Sequence, residues 1–159
     1  MGVSGAGKTT IGRLLAEQLG ATFVEGDDFH PPANVAKMRS GTPLGDHDRE
    51  PWLEALAQRI AGAEAAHEDL VLACSALRRA YRERLSRAAA EARFVHLDVP
   101  QEVLRERLRR RRGHFMPESL LQSQLATLEP PAPDEDALVV DASGTPEKTV
   151  AAIRRDLGR

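Results

Sequence analysis

The sequence has few residues of the kinds that stabilise secreted or membrane proteins. It contains a single cysteine, Cys74, which excludes a disulfide bond within the chain and is typical of a protein in a reducing cytoplasm. We expect Cys74 to be a small buried side chain rather than a redox centre. No apolar run approaches the roughly 18 residues that a membrane span needs, and no signal peptide is evident. These absences favour a soluble, cytoplasmic protein with no membrane partner.

Lysine is also scarce, with only Lys8, Lys37 and Lys148, so arginine carries almost all of the positive charge. The 22 basic side chains are balanced by 24 acidic ones, which gives no overall attraction to nucleic acid or to a membrane surface. Arginine binds phosphate and carboxylate groups through paired hydrogen bonds. A length of 159 residues predicts a single domain, residues 1–159, with one core.

The chain opens on a phosphate-binding motif. Residues 2–9 match the pattern G-x-x-x-x-G-K-[ST], in which glycines let the backbone N–H groups wrap closely around a polyphosphate. Lys8 can reach the β- and γ-phosphates, and the Thr9 hydroxyl can bind Mg²⁺. We therefore predict a catalytic Lys8 and a phosphate site formed by Gly2, Ser4, Gly5, Ala6, Gly7, Lys8, Thr9 and Thr10. The alternative is an ordinary glycine-rich turn before a helix.

Apolar patterns alternate between strands and helices along the rest of the chain. Helices are predicted at about 8–19, 31–39, 77–90, 101–112, 118–128 and 146–157, with a further helix that Pro51 opens. Strands are predicted at 21–24, 70–74, 94–97 and 137–141. The alternation favours an α/β fold with a parallel sheet and helices on both faces. Since a phosphate loop normally follows a buried strand, we also expect a first strand ahead of Gly2, missing from the N-terminus of this sequence.

Two acidic residues follow the predicted strand at 21–24. Ligands collect at the carboxyl ends of parallel strands, so we expect Asp27 to orient an acceptor hydroxyl and to accept its proton. Glu25 is expected to hold a Mg²⁺-bound water. The strand that ends near Cys74 carries no carboxylate, which leaves the metal to Thr9, water and one of these two acids. The alternative for either carboxylate is a solvated turn or a helix N-cap.

A run of arginines at 105–112 forms the second basic feature. Arg107 and Arg111 are four residues apart and so share a helix face. We assign Arg111 to the phosphates, where it would stabilise charge in the transition state, and Arg107 to the nucleotide, stacked on the adenine. A solvated or nucleic-acid-binding face is the alternative for the run, and it suits Arg109, Arg110 and Arg112 better.

Other polar residues are predicted to lie near the mouth of the same crevice. A small acid with several hydroxyl groups needs cations for its carboxylate and amides or imidazoles for its alcohols. The candidates for these contacts are His30, Lys37, Arg49, His114 and Gln124. Each one taken singly is as well explained as a surface residue. Trp52 is expected to belong to the core.

Several of these stretches together resemble the gluconokinases of the small, thermoresistant P-loop type. The resemblance spans nearly the whole chain, and its most specific part is the block from Glu25 to Leu53. It rests on the phosphate loop, Gly26-Asp27, His30-Pro31, Asn34, Lys37-Met38, Asp48-Arg49, Pro51-Trp52-Leu53, Cys74-Ser75-Ala76-Leu77-Arg78, Tyr81-Arg82, Gly113-His114-Phe115 and Thr127-Leu128-Glu129-Pro130.

The resemblance implies a three-layer P-loop kinase fold of the nucleoside-monophosphate-kinase type, in its shikimate-kinase-like branch. It also implies transfer of phosphate from ATP to D-gluconate with Mg²⁺, in a cytoplasmic enzyme that is often a homodimer. The lid would span about 107–118 and the substrate-binding segment about 27–53. Thr145 and Pro146 would flank the adenine, and Arg49 and Arg82 would meet the substrate. Glu25 departs from the aspartate that is usual at its position.

Alternative functions stay open at this point. One is another small-molecule kinase of the same fold, for shikimate or a polyol. The other is a nucleotide-switched module in which the arginine run grips nucleic acid. Near-neutral net charge and the acidic crevice disfavour the second alternative.

Overall fold

A computed structural model describes residues 1–110 and 118–158 of the chain. The helices are α1 (Lys8–Leu19), α2 (Pro32–Arg39), α3 (Asp46–Ala65), α4 (Arg79–Ser86), α5 (Gln101–Arg110), α6 (Glu118–Thr127) and α7 (Pro146–Asp156). The strands are β1 (Thr22–Glu25), β2 (Leu70–Ala73), β3 (Val95–Asp98) and β4 (Leu138–Asp141). Short 3-10 turns at Gly26–Phe29 and Pro133–Glu135 were not predicted.

Helix α1 has the bounds that the sequence predicts. Gly7 precedes it with φ 96°, and Gly20 follows it with φ 68°, a left-handed conformation that glycine adopts without strain. The Gly20 N–H donates to the carbonyl oxygens of Ala16 and Glu17, which satisfies the last turn. Ile11 and Leu15 are buried. The helix thus begins directly at the phosphate loop.

Helix α3 begins at Asp46, so the prediction that Pro51 opens it is wrong. The Gly45 N–H donates to Asp48 Oδ2 at 2.9 Å, and this cap stabilises a start five residues earlier than expected. Pro51 then lies inside the helix, where its fixed φ is helical and one backbone hydrogen bond is lost near the N-terminus. Helix α4 is shorter than predicted at both ends, since Arg78 is still extended and α4 stops at Ser86.

The strands form parallel pairs, as predicted. Strand β1 pairs with β2 in a register that aligns Glu25 with Ala73, and β3 pairs with β4 so that Asp98 aligns with Asp141. All of these residues lie at carboxyl ends, which places them at one edge of the fold. This is the edge at which the phosphate loop lies, because the Gly2 N–H donates to the carbonyl oxygen of Ser75 at 3.2 Å.

The first two residues link the strand pairs, because Met1 bonds to β3 and Gly2 bonds to Ser75, which follows β2. The Leu97 N–H donates to the Met1 carbonyl at 3.0 Å, and the Met1 amine donates to the Val95 carbonyl. Below this link lies a cavity of about 820 Å³, lined by strands β2 and β3.

The core has two clusters of buried residues. One joins α1, β3, β4 and α7 through side chains such as Ile11, Leu97 and Ile153. The other surrounds Trp52 and includes Leu56, Tyr81 and Cys74. Cys74 is 4% exposed and Trp52 is 0% exposed, so both are core residues as expected. In the part of the chain that the structure describes, no helix is long and apolar enough to span a membrane.

Candidate active site

The phosphate loop adopts a conformation that only glycines tolerate readily. Gly2, Gly5 and Gly7 have φ values of 145°, 85° and 96°. A Cβ on Gly5 would come within 3.3 Å of the Leu104 carbonyl oxygen, so helix α5 packs tightly against the loop. The loop ends at the N-terminus of α1, where free backbone N–H groups and the helix dipole favour an anion.

Thr9 and Glu25 are brought together at this helix start. The Thr9 hydroxyl donates to Glu25 Oε2 at 2.6 Å, which links the first turn of α1 to the end of β1. Lys8 Nζ donates to the Val3 carbonyl at 3.0 Å and so folds back over the loop. A hydroxyl oxygen and a carboxylate oxygen side by side are hard ligands of the kind that Mg²⁺ prefers.

A cavity of about 400 Å³ lies over the loop. The predicted residues that line it are Ser4, Gly5, Gly7, Lys8, Thr9, Thr10, Glu25, Asp27 and Arg107, and the sequence did not single out Leu108 or Arg110 for it. Gly2 and Ala6 are buried residues of the loop and do not line the cavity. The cavity is therefore lined both by the phosphate loop and by two carboxylates, Glu25 and Asp27, that lie 15 or more residues later in the sequence.

Asp27 is held at this cavity by a glycine that has no room for a side chain. A Cβ on Gly26 would lie 2.7 Å from the Ala73 carbonyl oxygen and 3.0 Å from Cys74 Cβ. The Gly26 carbonyl also accepts a hydrogen bond from Trp52 Nε1 at 2.7 Å. The backbone ahead of Asp27 is thus fixed from both sides, while the Asp27 side chain is exposed.

Arg107 ties the phosphate loop to the segment that precedes α7. Its Nη1 donates to the carbonyl oxygens of Gly5 and Ala6 at 3.4 and 3.5 Å. Its Nη2 donates to the Ala142 carbonyl at 2.8 Å and to the Ser143 carbonyl at 3.1 Å. Thr145, which caps α7, follows two residues later. The predicted adenine contacts, Arg107, Thr145 and Pro146, therefore lie on neighbouring segments.

Two of the predicted residues, Arg111 and His114, lie outside the described residues, as does most of the expected lid. Gln124 on α6 is described and meets the phosphate loop, because its Oε1 accepts from the Ser4 N–H at 2.7 Å. Its predicted contact with the substrate stays a prediction.

His30 lies at the end of the turn that carries Asp27. Its ring stacks on Trp52 with 4.6 Å between ring centroids and 10° between the planes. Burial lowers the pKa of His30 below its ordinary value, nearby Arg49 lowers it further, and Asp27 opposes them. Asn34 of α2 contacts His30 Nδ1 at 3.4 Å and was not predicted as a site residue. No pattern in the sequence showed that its amide would be buried.

The cations expected to meet a substrate carboxylate already have acidic or aromatic neighbours. Lys37 Nζ pairs with Asp48 Oδ1 at 2.6 Å, and this hydrogen bond is the main cause of a lowered pKa for Asp48. The Arg49 guanidinium lies 5.8 Å from the centre of the Tyr81 ring. The Tyr81 hydroxyl also bonds to Asp46, and burial together with that bond raises the pKa of Tyr81.

Arg82 lies in the core, which corrects the expectation that it meets the substrate. Its side chain is 2% exposed, and Nε and Nη2 donate to the two oxygens of Glu135 at 2.6 and 2.9 Å. Nη1 donates to the carbonyl oxygens of Ala76 and Leu77. With these donors engaged and its side chain covered, Arg82 holds the chain after β2 in place and has no open face for a ligand.

Comparisons with known proteins agree with this geometry. Residues 1–131 match the family described as AAA domain. The gluconokinase of Gluconobacter oxydans is 49% identical over 155 residues, which cover 98% of this chain and 87% of that protein.

Solved structures resemble this chain over nearly its full length. A sugar kinase from Janibacter has a TM-score of 0.94 at 47% identity and covers 99% of this chain and 91% of its own. A gluconokinase from Sinorhizobium meliloti has a TM-score of 0.86 at 43% identity, and the match covers 99% of this chain and 93% of that one. Shikimate kinase from Bacteroides thetaiotaomicron has a TM-score of 0.70 at 22% identity, and the match covers 100% of this chain and 96% of that one. At this identity the likeness shows the fold alone. The predicted P-loop kinase fold is thereby confirmed.

Proposed function

The chain belongs to the gluconokinase family, and from that premise we propose that it transfers the γ-phosphoryl group of ATP to the 6-hydroxyl group of D-gluconate. The resemblance drawn from the sequence is confirmed by this membership. The observation that carries the proposal is the cavity of about 400 Å³ that both Lys8 of the phosphate loop and Asp27 line. Donor phosphate and acceptor hydroxyl can meet there.

Transfer requires in-line positioning and neutralisation of charge. The loop N–H groups and Lys8 hold the β- and γ-phosphates, while Asp27 orients the acceptor hydroxyl. As the hydroxyl oxygen bonds to phosphorus, the bond to the bridging oxygen of ADP breaks, and the hydroxyl proton passes to Asp27. Arg111 is proposed to stabilise the charge that develops on the transferred group.

The residues present fit a Mg²⁺ ion that is bound mainly by phosphate and water. Thr9 Oγ1 and Glu25 Oε2, 2.6 Å apart, supply the protein oxygens, Glu25 through a water. Residues 1–110 and 118–158 hold no cluster of three or more His, Cys, Asp or Glu that could bind a metal by itself, which suits an ion that keeps several waters. Bound there, Mg²⁺ would neutralise phosphate charge.

The remaining residues are assigned to the two substrates. His30, Lys37, Arg49, His114 and Gln124 form the acceptor set, in which cations meet the carboxylate of gluconate. Arg107, Thr145 and Pro146 flank the adenine, a placement supported by the bonds from Arg107 to the carbonyl oxygens at 142–144. We also propose that the protein is a cytoplasmic homodimer. Light scattering in solution would test the dimer by measuring its mass.

The test is release of ADP from Mg-ATP by the purified protein with a panel of acceptors. We expect turnover with D-gluconate and little with shikimate, polyols or other sugar acids. Lys8→Ala should abolish the signal, whereas Lys148→Ala, which removes an exposed lysine on α7, should leave it unchanged. Turnover with shikimate but not with gluconate would overturn the substrate assignment.

A further inference from the structure

We propose that Asn34 is a positioning residue that holds His30 as the neutral tautomer with its proton on Nε2. His30 then presents a hydrogen-bond donor to the acceptor substrate. The identity of that substrate rests on the function proposed above, but the tautomer does not.

The orientation of the Asn34 amide is fixed by a backbone group. Asn34 is 4% exposed, and its Nδ2 lies 2.6 Å from the carbonyl oxygen of Asp48 in α3. A carbonyl oxygen can only accept, so the end of the amide that faces it must be the NH₂ group. The oxygen and nitrogen atoms of an asparagine amide are often hard to tell apart, but at this position the hydrogen bond decides which is which.

The same NH₂ group determines what His30 can do. Asn34 Nδ2 lies 3.4 Å from His30 Nδ1, and since an NH₂ group only donates, Nδ1 must offer its lone pair. A proton on Nδ1 would oppose one N–H to another, which disfavours both the other neutral tautomer and the charged imidazolium. Burial, which lowers the pKa of His30, acts in the same direction.

The plane of the ring is fixed as well. His30 stacks on Trp52 at 4.6 Å, and Trp52 is anchored by its hydrogen bond to the Gly26 carbonyl, next to Asp27. Among the residues that the structure describes, none is a hydrogen-bond partner of His30 Nε2. Asp27 and Arg49 lie close enough to influence the charge of the ring. The Nε2–H group is therefore a directed donor beside the proposed base.

A fixed donor at this place selects for a particular kind of ligand atom. It favours a hydroxyl lone pair or a carboxylate oxygen and disfavours a ligand N–H, because two donors would face each other. A polyhydroxylated acid satisfies this requirement. Asn34, which need not touch the ligand, thus contributes to specificity through the tautomer of its neighbour.

The tautomer can be measured directly in the wild-type protein. Long-range proton–nitrogen NMR correlations of ¹⁵N-histidine-labelled protein distinguish the two neutral tautomers from the charged form, and loss of one spin system in His30→Gln identifies His30 among the five histidines. We expect a protonated Nε2 and a bare Nδ1 at pH 7.5. A proton on Nδ1 at that pH would overturn the proposal without reference to any substrate.

Kinetics test the consequence for the substrate. Asn34→Ala should raise KM for gluconate by about fivefold, the effect of weakening one hydrogen bond, with KM for ATP unchanged. The side-chain nitrogen of Gln at position 30 donates without a tautomer, so adding Asn34→Ala to His30→Gln should change KM for gluconate by less than about twofold. An equal rise in both backgrounds would mean that Asn34 is merely structural. A correct tautomer without gluconate turnover would refute the proposed function and leave the tautomer assignment standing.

Discussion

Removing either member of the buried pair Arg82 and Glu135 should cost a large part of the stability of the fold and leave substrate binding unaffected. Their side chains are 2% and 8% exposed and share two hydrogen bonds, with the shorter at 2.6 Å. Removing one partner leaves the other charge buried without compensation, which costs about 3–5 kcal/mol. Since a domain of this kind has a free energy of unfolding of about 5–15 kcal/mol, either single change removes a substantial share of it.

A double-mutant cycle separates this effect from simple loss of packing. Arg82→Met and Glu135→Leu should each lower the free energy of unfolding by about 3 kcal/mol or more. The double variant should lose less than the sum, by about 2 kcal/mol, because neither charge is left alone. What remains is the loss of the hydrogen bonds from Arg82 to the carbonyl oxygens of Ala76 and Leu77 and of the bond from the Ala132 N–H to Glu135. Urea unfolding measures these free energies, provided that the slope of the free energy of unfolding against urea concentration is the same in all variants.

A matched control lies on the surface. Arg84 and Glu54 form a pair at 2.8 Å with side chains 39% and 53% exposed, and Arg84→Met should cost less than about 1 kcal/mol. Additive effects in the buried pair would refute the account of its stability. A tenfold rise in KM for gluconate in Arg82→Met, with stability unchanged, would instead restore the substrate role that the sequence suggested.

Further predictions concern the base, a glycine and pH. Asp27→Asn should lower turnover by orders of magnitude while the thermal midpoint hardly changes, because the side chain is exposed; wild-type turnover would remove its role. Gly26→Ala should destabilise by about 1–3 kcal/mol in thermal unfolding, since its Cβ would lie 2.7 Å from the Ala73 carbonyl oxygen. Gly62→Ala, with open space around it, should be neutral or stabilising. His96 is 5% exposed, and burial lowers its pKa from the ordinary 6.5. As the pH falls below 6.5, His96 therefore binds more protons in the unfolded chain than in the folded one. Its contribution to the free energy of unfolding is fully present above that pH and is lost below it. His96→Gln should reduce the difference between urea midpoints at pH 7.5 and 5.5, and an undiminished difference would contradict this.

Local signals predicted the phosphate side of the site well. The motif at 2–9 and the apolar periodicity after it gave the bounds of α1, and Glu25 at the end of β1 lies beside Thr9 in the first turn of that helix. Such features depend on neighbours in the chain and on the rule that parallel strands end at one edge. A single sequence carries them.

Long-range pairing is where prediction failed. Nothing near Arg82 shows that its partner stands 53 residues later, and an arginine after a strand has the same appearance whether it faces a ligand or a carboxylate in the core. The start of α3 was misjudged because Pro51 is a strong local signal, whereas the cap by Asp48 is a weaker one. The amide of Asn34 acquires its meaning only through the Asp48 carbonyl.

The single tryptophan of the sequence, Trp52, is 0% exposed and stacks on the imidazole of His30. All indole emission of the protein therefore originates from one buried ring that contacts His30, a residue proposed to bind the acceptor. Any ligand that moves or polarises His30 should alter that emission, so unlabelled protein would carry its own optical reporter of a ligand bound at the proposed acceptor residues.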